Sequence, residues 1–318
     1  DTRQYHNPVL DLKGAELWNL DMNEGSSSLQ ERWANINSDV YVNGTLRFPA
    51  LPGWPTPGGV VNYYSNCGAV YARGDVRIGS AASGNASFTT ATPCASSISP
   101  SGRHSIDLIL IGNANQNIIQ EPGMTAAGFG NLFINKTGGI ANFNAGSFYM
   151  VGELNISCTA CTNFNGSSLS VANIYNNPRA PRFTTNGETL GNLTFTRNLT
   201  AGGGGETHII GDMKVAGNFT LERPYLRLFN PGTKLFVGGD MTLTKGATDS
   251  NRWRYDFTIQ ANGTADQNLS VDNTLYGYPI GLDQTERHLF IEVNKSSGQV
   301  VLQNNLKAAN VNIMSGTL

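Results

Sequence analysis

Two segments of this chain occur twice, in the same order along the sequence. The first reads GNANQNII at residues 112–119 and GTADQNLS at residues 263–270. The second reads GNLFINKTGG at residues 130–139 and HLFIEVNKSSG at residues 288–298. Because two separate matches in one order rarely arise by chance, the chain contains an internal duplication, and a chain of this kind folds by repeating a structural unit.

The two copies differ in the length of the connection between the segments. The first segments lie 151 residues apart (116 to 267), whereas the second segments, aligned on Lys136 and Lys295, lie 159 residues apart (136 to 295). The second copy has gained residues between the segments and kept both ends. We predict that residues 105–157 and 256–316 are two copies of one structural unit.

A shorter motif recurs throughout the chain: Gly, a polar residue, a large apolar residue, any residue, and a second apolar residue. Its two apolar positions alternate with polar ones, which predicts a β-strand with one face in the core and one face in solvent. Looser copies begin at His288 and Asn310. The full motif begins at Gly44, Gly74, Gly130, Gly152, Gly191, Gly211, Gly217 and Gly239.

The spacing of these strands favours one class of all-β fold. Hairpin-connected sandwiches place strands every 8 to 12 residues or so, whereas a step of about 20 residues is one turn of a parallel β-solenoid. We therefore predict an all-β, β-helix-like parallel β-solenoid, with tandem β-sandwich modules as the alternative. The steps are Leu132 to Leu154 (22 residues), Leu193 to Met213 (20), Phe219 to Met241 (22) and Leu289 to Val311 (22).

The N-terminal third of the chain differs from the rest. Residues 1–104 are predicted to be a divergent section with Pro-, Gly- and Ser-rich loops and a candidate cap, and residues 105–318 to be the β-repeat region. Residues 27–34 (SSLQERWA) hold the candidate helical turns. Four prolines within residues 49–57 exclude a sheet ladder there, since proline has no N–H donor. Residues 311–318 keep the strand alternation, which suggests a segment of something longer.

Composition narrows the function classes. The chain has 318 residues, 39% of them hydrophobic, which suffices for a sizeable core. Charged residues make up 14% and the formal net charge is -2, so there is no electrostatic reason to expect nucleic acid or an anionic membrane as partner. No stretch approaches the roughly 18 apolar residues that a membrane helix needs.

Four cysteines are compatible with two disulfides. The favoured pairing joins Cys67 to Cys94 and Cys158 to Cys161, although four cysteines permit three connectivities. The CTAC segment that begins at Cys158 is alternatively a redox motif or half of a zinc site. The four histidines lack ligand spacing, so neither a metal nor a cofactor is predicted.

Asn-x-Ser/Thr sequons are abundant and make a glycoprotein one interpretation. The alternative is that strand alternation creates the sequons, because an outward Asn is followed two residues later by an outward Thr or Ser. The candidates are Asn43, Asn85, Asn135, Asn155, Asn165, Asn192, Asn198, Asn218, Asn262, Asn268 and Asn294.

A hydrolase on this architecture would need two carboxyl groups about 5 to 10 Å apart. Asp212 and Asp240 share a motif position and would meet this requirement if their strands were neighbours, because adjacent strands lie about 4.8 Å apart. The same position also holds Asn131, Glu153, Asn192 and Asn218. We therefore predict a solvent-facing turn position that accepts small polar groups, no catalytic residues, and no enzymatic activity.

One triplet, Arg73-Gly74-Asp75, matches an integrin-recognition sequence. Such a triplet acts when it is displayed on an exposed loop, whereas here it leads directly into a predicted strand. A chance occurrence is the favoured interpretation.

The combination of a Gly-Thr-Ala-x-Gln segment, a Leu-x-Ile-Asn-x-Ser/Thr-Gly-Gly segment and a Val-x-Gly-x-Leu-x-Ile strand resembles the repeats of large secreted or cell-surface, adhesin-like proteins of Bacteroidetes-type bacteria that use the type IX export route. The matching residues, roughly half of the chain, are Gly112 to Gln116, Asn131 to Gly139 and Val151 to Ile156 in one copy, and Gly263 to Gln267, Leu289 to Gly298 and Gln299 to Leu318 in the other.

This resemblance implies display outside the cell, with an extracellular glycan, a surface protein or copies of this chain as the expected partners, and it brings no catalytic residues. The expected function is a structural cell-surface or secreted protein, an adhesin stalk or surface-fibre component. Two alternatives remain open. One is a carbohydrate-active enzyme or glycan-binding module on a β-helix, and the other is a subunit of a self-assembling extracellular filament.

Overall fold

A computed structural model describes most of the chain. Contacts divide the chain into two compact units, Asp1–Asn163 with Asn176–Arg179 (unit 1) and Phe164–Tyr175 with Ala180–Leu318 (unit 2). The described residues are 9–10, 12–21, 32–36, 38–48, 61–65, 68–78, 107–122, 127–129, 131–150, 152–172, 182–196, 207–222, 226–228, 233–244, 257–271, 289–306 and 310–317.

The regular elements of unit 1 within these ranges are all strands. Arg32, Trp33 and Ala34 lie in a strand, so the predicted helical turns are wrong there, and residues 27–31 lie outside the described part. The strands are β1 Val9–Leu10, β2 Glu16–Leu17, β3 Leu20–Asp21, β4 Arg32–Ile36, β5 Val40–Val42, β6 Leu46–Phe48, β7 Val61–Ser65, β8 Ala69–Ala72, β9 Val76–Ile78, β10 Asp107–Gly112, β11 Gln116–Gln120, β12 Ala127–Phe129, β13 Asn131–Lys136, β14 Ala141–Asn142, β15 Ser147–Met150, β16 Leu154–Ile156 and β17 Thr162–Asn163.

Unit 2 likewise consists of strands in its described residues. Within the ranges given above, neither unit contains a helix with the length and apolar character needed to cross a membrane. The strands are β18 Ser168–Ala172, β19 Arg182–Thr184, β20 Thr189–Leu190, β21 Asn192–Thr196, β22 Thr207–Ile210, β23 Met213–Val215, β24 Phe219–Leu221, β25 Leu226–Leu228, β26 Lys234–Val237, β27 Met241–Leu243, β28 Phe257–Ala261, β29 Gln267–Val271, β30 Leu289–Leu302 and β31 Asn310–Thr317.

Most strands pair in parallel with the second or third strand further along the chain, whereas β30 pairs with its chain neighbours β29 and β31. In unit 1 the two longest sheet orders are β2-β5-β8-β10-β13-β16 and β3-β6-β9-β11-β14-β17. In unit 2 they are β18-β21-β24-β27-β29-β30 and β20-β23-β26-β28-β30-β31. Below, one pass of the chain through these sheets is called a repeat. The protein is therefore all-β with parallel sheets, and the described pairings lack the antiparallel hairpins of β-sandwich modules.

Each glycine of the motif precedes a strand, as predicted. The predicted spacings between paired residues are confirmed only in part. Leu132 pairs with Leu154, and Phe219 pairs with Met241, which confirms two of the 22-residue steps. Leu193 pairs with Phe219 rather than with Met213, so that step is wrong.

The reason is that the motif recurs in more than one sheet. Met213 belongs to β23 and pairs with Leu235 in a different sheet from Leu193. The last predicted step is displaced by two residues, because Val311 pairs with Ile291 instead of Leu289. A shift of two residues keeps the same side-chain face, since strand side chains alternate with period two.

The core of each unit lies between its sheets, where the inward apolar side chains form rows across successive repeats. In unit 2 Leu193, Phe219, Met241 and Leu269 are register neighbours and are all buried. Burying one such side chain contributes about 1.5–3 kcal/mol relative to exposure. These rows keep equivalent positions of each repeat in line, and they also align the polar residues at the ends of the strands.

Candidate functional site

A lysine and a glutamine meet inside unit 1, where apolar residues would be expected. Gln116 begins β11 and is 0% exposed, and Lys136 ends β13 and is 6% exposed. The Lys136 Nζ donates hydrogen bonds to Gln116 Oε1 at 2.7 Å and to the Ala114 carbonyl at 2.8 Å. The lysine thereby connects its own repeat to the preceding one.

The glutamine extends this connection by one further repeat. Gln116 Nε2 donates to the carbonyls of Ala72 at 2.9 Å and Gly74 at 2.8 Å. The bonds therefore join three successive repeats. We call Gln116, Lys136 and their three carbonyl partners the first clamp.

The same arrangement occurs in unit 2 and forms the second clamp. Lys295 Nζ donates to the carbonyls of Gly263 at 2.7 Å and Ala265 at 2.8 Å and to Gln267 Oε1 at 2.6 Å. Gln267 Nε2 donates to the carbonyls of Val237 at 3.0 Å and Gly239 at 2.5 Å. Gln267 is 1% exposed and Lys295 is 2% exposed. The two copies of the duplicated segments thus build the same internal contact.

A glycine packs against the backbone of each clamp. Gly139 has φ 64° and Gly298 has φ 70°, in the left-handed region that favours glycine. A Cβ would lie 2.4 Å from the backbone of Ala114 at the first position and 2.7 Å from the backbone of Ala265 at the second. The duplicated sequence therefore combines three requirements: a glutamine, a lysine in the next repeat, and a glycine three residues after that lysine.

The interior of the fold disfavours the charge on these lysines. Desolvation lowers the pKa of Lys136 below its ordinary value. Desolvation also lowers the pKa of Lys295, and the nearby Asp266 carboxylate partly opposes that effect. The three N–H donors of the Lys295 ammonium have three oxygen acceptors, which offsets part of the desolvation cost. This arrangement fixes neighbouring strands relative to one another.

A second set of side-chain bonds connects the repeats of unit 2. In one sheet, the residue before the first inward apolar side chain of a strand accepts the backbone N–H of its equivalent one repeat later. Asn192 Oδ1 accepts from Asn218 N at 2.8 Å, Asn218 Oδ1 accepts from Asp240 N at 2.9 Å, and Asp240 Oδ1 accepts from Asn268 N at 2.7 Å. We call these four residues the amide ladder. The position predicted to accept small polar groups thus has a bonding role between repeats.

The proposed carboxylate pair does not form a stacked pair. Asp212 precedes β23 and accepts from Lys234 N at 2.9 Å, whereas Asp240 precedes β27 in another sheet. The two residues are not register neighbours, because the Gly-led motif occurs in both sheets. The premise that their strands are adjacent is therefore wrong.

Half of the predicted disulfide pairing is present. Cys158 and Cys161 are disulfide-bonded in the segment between β16 and β17. Cys67 and Cys94 lie outside the described residues. Within the described ranges, no group of three or more His, Cys, Asp or Glu side chains is placed to hold a metal ion.

Three of the sequon asparagines donate hydrogen bonds from their side-chain amides within the fold. Asn43 Nδ2 donates to Glu16, Asn192 Nδ2 donates to Ser168, and Asn268 Nδ2 donates to Asp240. A glycan would replace one amide hydrogen, so these three positions fit a structural interpretation better. Attachment at any sequon stays a prediction. Asn85 and Asn198 lie outside the described residues, and the exposed candidates include Asn135, Asn165, Asn218, Asn262 and Asn294.

Comparison with protein-family models, with curated proteins and with solved structures found no match.

Proposed function

We propose that each compact unit is a parallel β-solenoid and that the chain is a structural, non-catalytic part of a secreted or cell-surface protein. In this role it is an adhesin stalk or a surface-fibre component. Its repeats carry load and present uncharged polar surface to glycans or to other molecules at the cell surface. Its properties come from strand pairing and buried contacts rather than from a reactive group.

The observation that carries the proposal is the set of bonds that the duplicated glutamine and lysine form. In each clamp the glutamine and the lysine point into the core and bond to backbone carbonyls of neighbouring repeats. A catalytic pair would instead face a groove that a substrate can enter. The duplicated positions therefore support a role in holding repeats together.

The clamps also protect the register of the parallel strands. A slip by one residue would turn every inward side chain outward. It would also leave a buried lysine without its acceptors, and an unsatisfied buried polar group costs about 1–3 kcal/mol, or more when it is charged. Resistance to slipping is the property that a load-bearing stack of strands requires.

The proposed location outside the cell rests on one structural observation and on the resemblance of the sequence. Cys158 and Cys161 form a disulfide, and disulfides persist mainly in oxidising compartments. The duplicated segments resemble repeats of exported surface proteins. Together these features favour a secreted or surface-displayed protein.

The test is incubation of the purified chain with a panel of polysaccharides, with measurement of reducing ends and of unsaturated products. The expected result is no turnover. The variants Asp212→Ala and Asp240→Ala probe the carboxylates of the enzyme alternative, and Asn218→Ala is a matched control at the same motif position. Turnover that either aspartate variant abolishes would replace the structural role with an enzymatic one.

A second candidate function, a subunit of a self-assembling filament, is favoured by β31. Ile313 pairs with the buried Val293 but is itself 50% exposed, and Met314 is 47% exposed. A further strand laid on β31 would cover both. Negative-stain images in which purified chains form fibres, lost in Ile313→Asp, would support assembly through this strand, and isolated particles at high concentration would exclude it.

A further inference from the structure

Trp18 lies in the turn between β2 and β3 of unit 1 and exposes a large aromatic surface. Its side chain is 75% exposed, more than any other large apolar side chain in the described residues. An aromatic face carries partial negative charge and attracts the polarised C–H bonds of a flat ligand. A pyranose ring presents C–H bonds of this kind on one face.

Polar side chains follow Trp18 across the next two repeats. Leu17 pairs with Val42, and Val42 pairs with Ala72, so the residues that come next, Trp18, Asn43 and Arg73, lie in one row. Neighbouring strands are about 4.8 Å apart, so Arg73 lies about 10 Å along the row from Trp18. That distance suits two linked sugar rings. We call this row, together with Glu16, the corner row.

The polar members of the corner row hold one another in place. Arg73 Nη1 donates to Glu16 Oε1 at 3.0 Å and to Asn43 Oδ1 at 2.6 Å, and Asn43 Nδ2 donates to Glu16 Oε2 at 3.1 Å. The hydrogen bond from Asn43, then the bond and charge of Arg73, lower the pKa of Glu16 below its usual value. The carboxylate is therefore a stable hydrogen-bond acceptor at neutral pH.

These groups retain capacity for a ligand. A guanidinium has five N–H donors, and each described Arg73 hydrogen bond to another side chain uses Nη1. A carboxylate has about four lone-pair sites, of which the Glu16 side chain shares two here. Sugar hydroxyls both donate and accept hydrogen bonds. The opposite charges of Glu16 and Arg73 cancel, which favours a neutral ligand.

We propose that the corner row binds a neutral saccharide, with one ring on the face of Trp18 and hydroxyls of the next ring bonded to Arg73 and Glu16. The proposal deepens the proposed surface function and rests on it, since it assigns the glycan partner of that role to a specific site.

A protein partner that reads Arg73-Gly74-Asp75 fits the structure less well. Asp75 Oδ1 accepts from Asn117 N at 2.8 Å and from Asn117 Nδ2 at 3.2 Å. A Cβ at Gly74 would lie 2.1 Å from the Gly44 carbonyl, so the triplet is packed against the preceding repeat. The triplet lies in the short connection between β8 and β9, and its aspartate is already bonded within the fold.

The test is calorimetric titration of the full chain with cellobiose, lactose, maltose and chitobiose. We expect millimolar or tighter binding of at least one disaccharide, weakened about tenfold or more by Trp18→Ala and by Arg73→Ala. Trp18→Phe keeps a smaller ring and should bind with intermediate affinity. Met314→Ala, which truncates another exposed apolar side chain, is the matched control and should bind normally.

Two results would overturn the saccharide site. One is an absence of binding to all four disaccharides, and the other is binding that Trp18→Ala leaves unchanged. Capture of an integrin ectodomain, lost in Asp75→Ala, would assign the corner to a protein partner instead. Because Trp18 is exposed, Trp18→Ala should retain the wild-type circular dichroism spectrum; if it does not, Trp18→Phe and Arg73→Lys decide the question.

The failure of this proposal is distinguishable from failure of the structural role. No disaccharide binding together with no polysaccharide turnover removes the saccharide site and leaves the structural role in place. Turnover of a polysaccharide contradicts the structural role whatever Trp18 contributes.

Discussion

Lys295 donates a hydrogen bond of 2.6 Å to the side-chain oxygen of Gln267, and both residues are buried in the core of unit 2. Lys136 and Gln116 form the corresponding bond of 2.7 Å in unit 1. Apolar residues are the ordinary occupants of such positions. The duplication of a buried polar contact, with its carbonyl acceptors, indicates that the contact helps to specify how successive repeats join.

The glycine of the second clamp provides a test of the backbone geometry. Gly298→Ala should lower the free energy of unfolding by about 2 kcal/mol or more, because it adds a close contact to an unfavourable φ. Gly187 has φ 81° and open space around its Cβ position, so Gly187→Ala isolates the backbone cost. Urea unfolding should show the larger loss for Gly298→Ala. Equal losses would mean that the close approach to Ala265 is unimportant.

The lowered pKa of Lys295 predicts a pH dependence with a definite sign. The unfolded chain binds more protons than the folded chain between the lowered pKa and the unfolded value near 10.5, so Lys295 makes stability rise with pH in that window. The penalty for burying the charge is fully present below the folded pKa.

The measurement is the difference in unfolding free energy between wild type and Lys295→Met, followed from neutral pH to about pH 10. Groups common to both proteins cancel in this difference. We expect the difference to shift in favour of wild type as pH rises. A shift in the opposite direction would mean that the carbonyl acceptors raise the pKa above its unfolded value.

The amide ladder predicts different effects for two substitutions at one residue. Asn192→Ala removes the oxygen that accepts from Asn218 N and should cost about 1 kcal/mol. Asn192→Asp keeps an acceptor oxygen at the same place and should cost less. Chemical denaturation of the two variants measures the difference. Comparable losses for both would assign the effect to the Ser168 bond, which the aspartate also changes.

The sequence predicted the strands better than their partners. The alternation predicts that Leu132 and Ile134 point inward, which the structure confirms, and Lys136 continues the same alternation into the core. The inward lysine was a signal for the first clamp, because it breaks an otherwise apolar face. The bonding partners of Gln116 could not be predicted from the sequence, since Gln116 bonds to Ala72 across 44 residues of chain.

The corner row could not be predicted from the sequence, for a related reason. Trp18 and Arg73 become neighbours only through strand pairing, and the loops between repeats differ in length. A motif that recurs in several sheets predicts the strands but not their register. The spacing therefore predicts the wrong partner for Leu193, Met213 instead of Phe219. Long-range register depends on inward side chains meeting in three dimensions.

The central claim is that the duplicated polar residues hold repeats together as coupled pairs. Gln267→Met and Lys295→Met should each cost about 2–3 kcal/mol, because each leaves buried polar groups without partners. Lys214→Met, at an exposed lysine of the same unit, should change stability by less than about 0.5 kcal/mol.

The most direct measurement is the double-mutant cycle between Lys295→Met and Gln267→Met, read from urea unfolding of the full chain. We predict that the double variant loses less stability than the sum of the single losses by about 1–3 kcal/mol, since the second substitution removes a group that the first had already left unpaired. Additive losses would show that Lys295 and Gln267 act independently and would contradict the clamp.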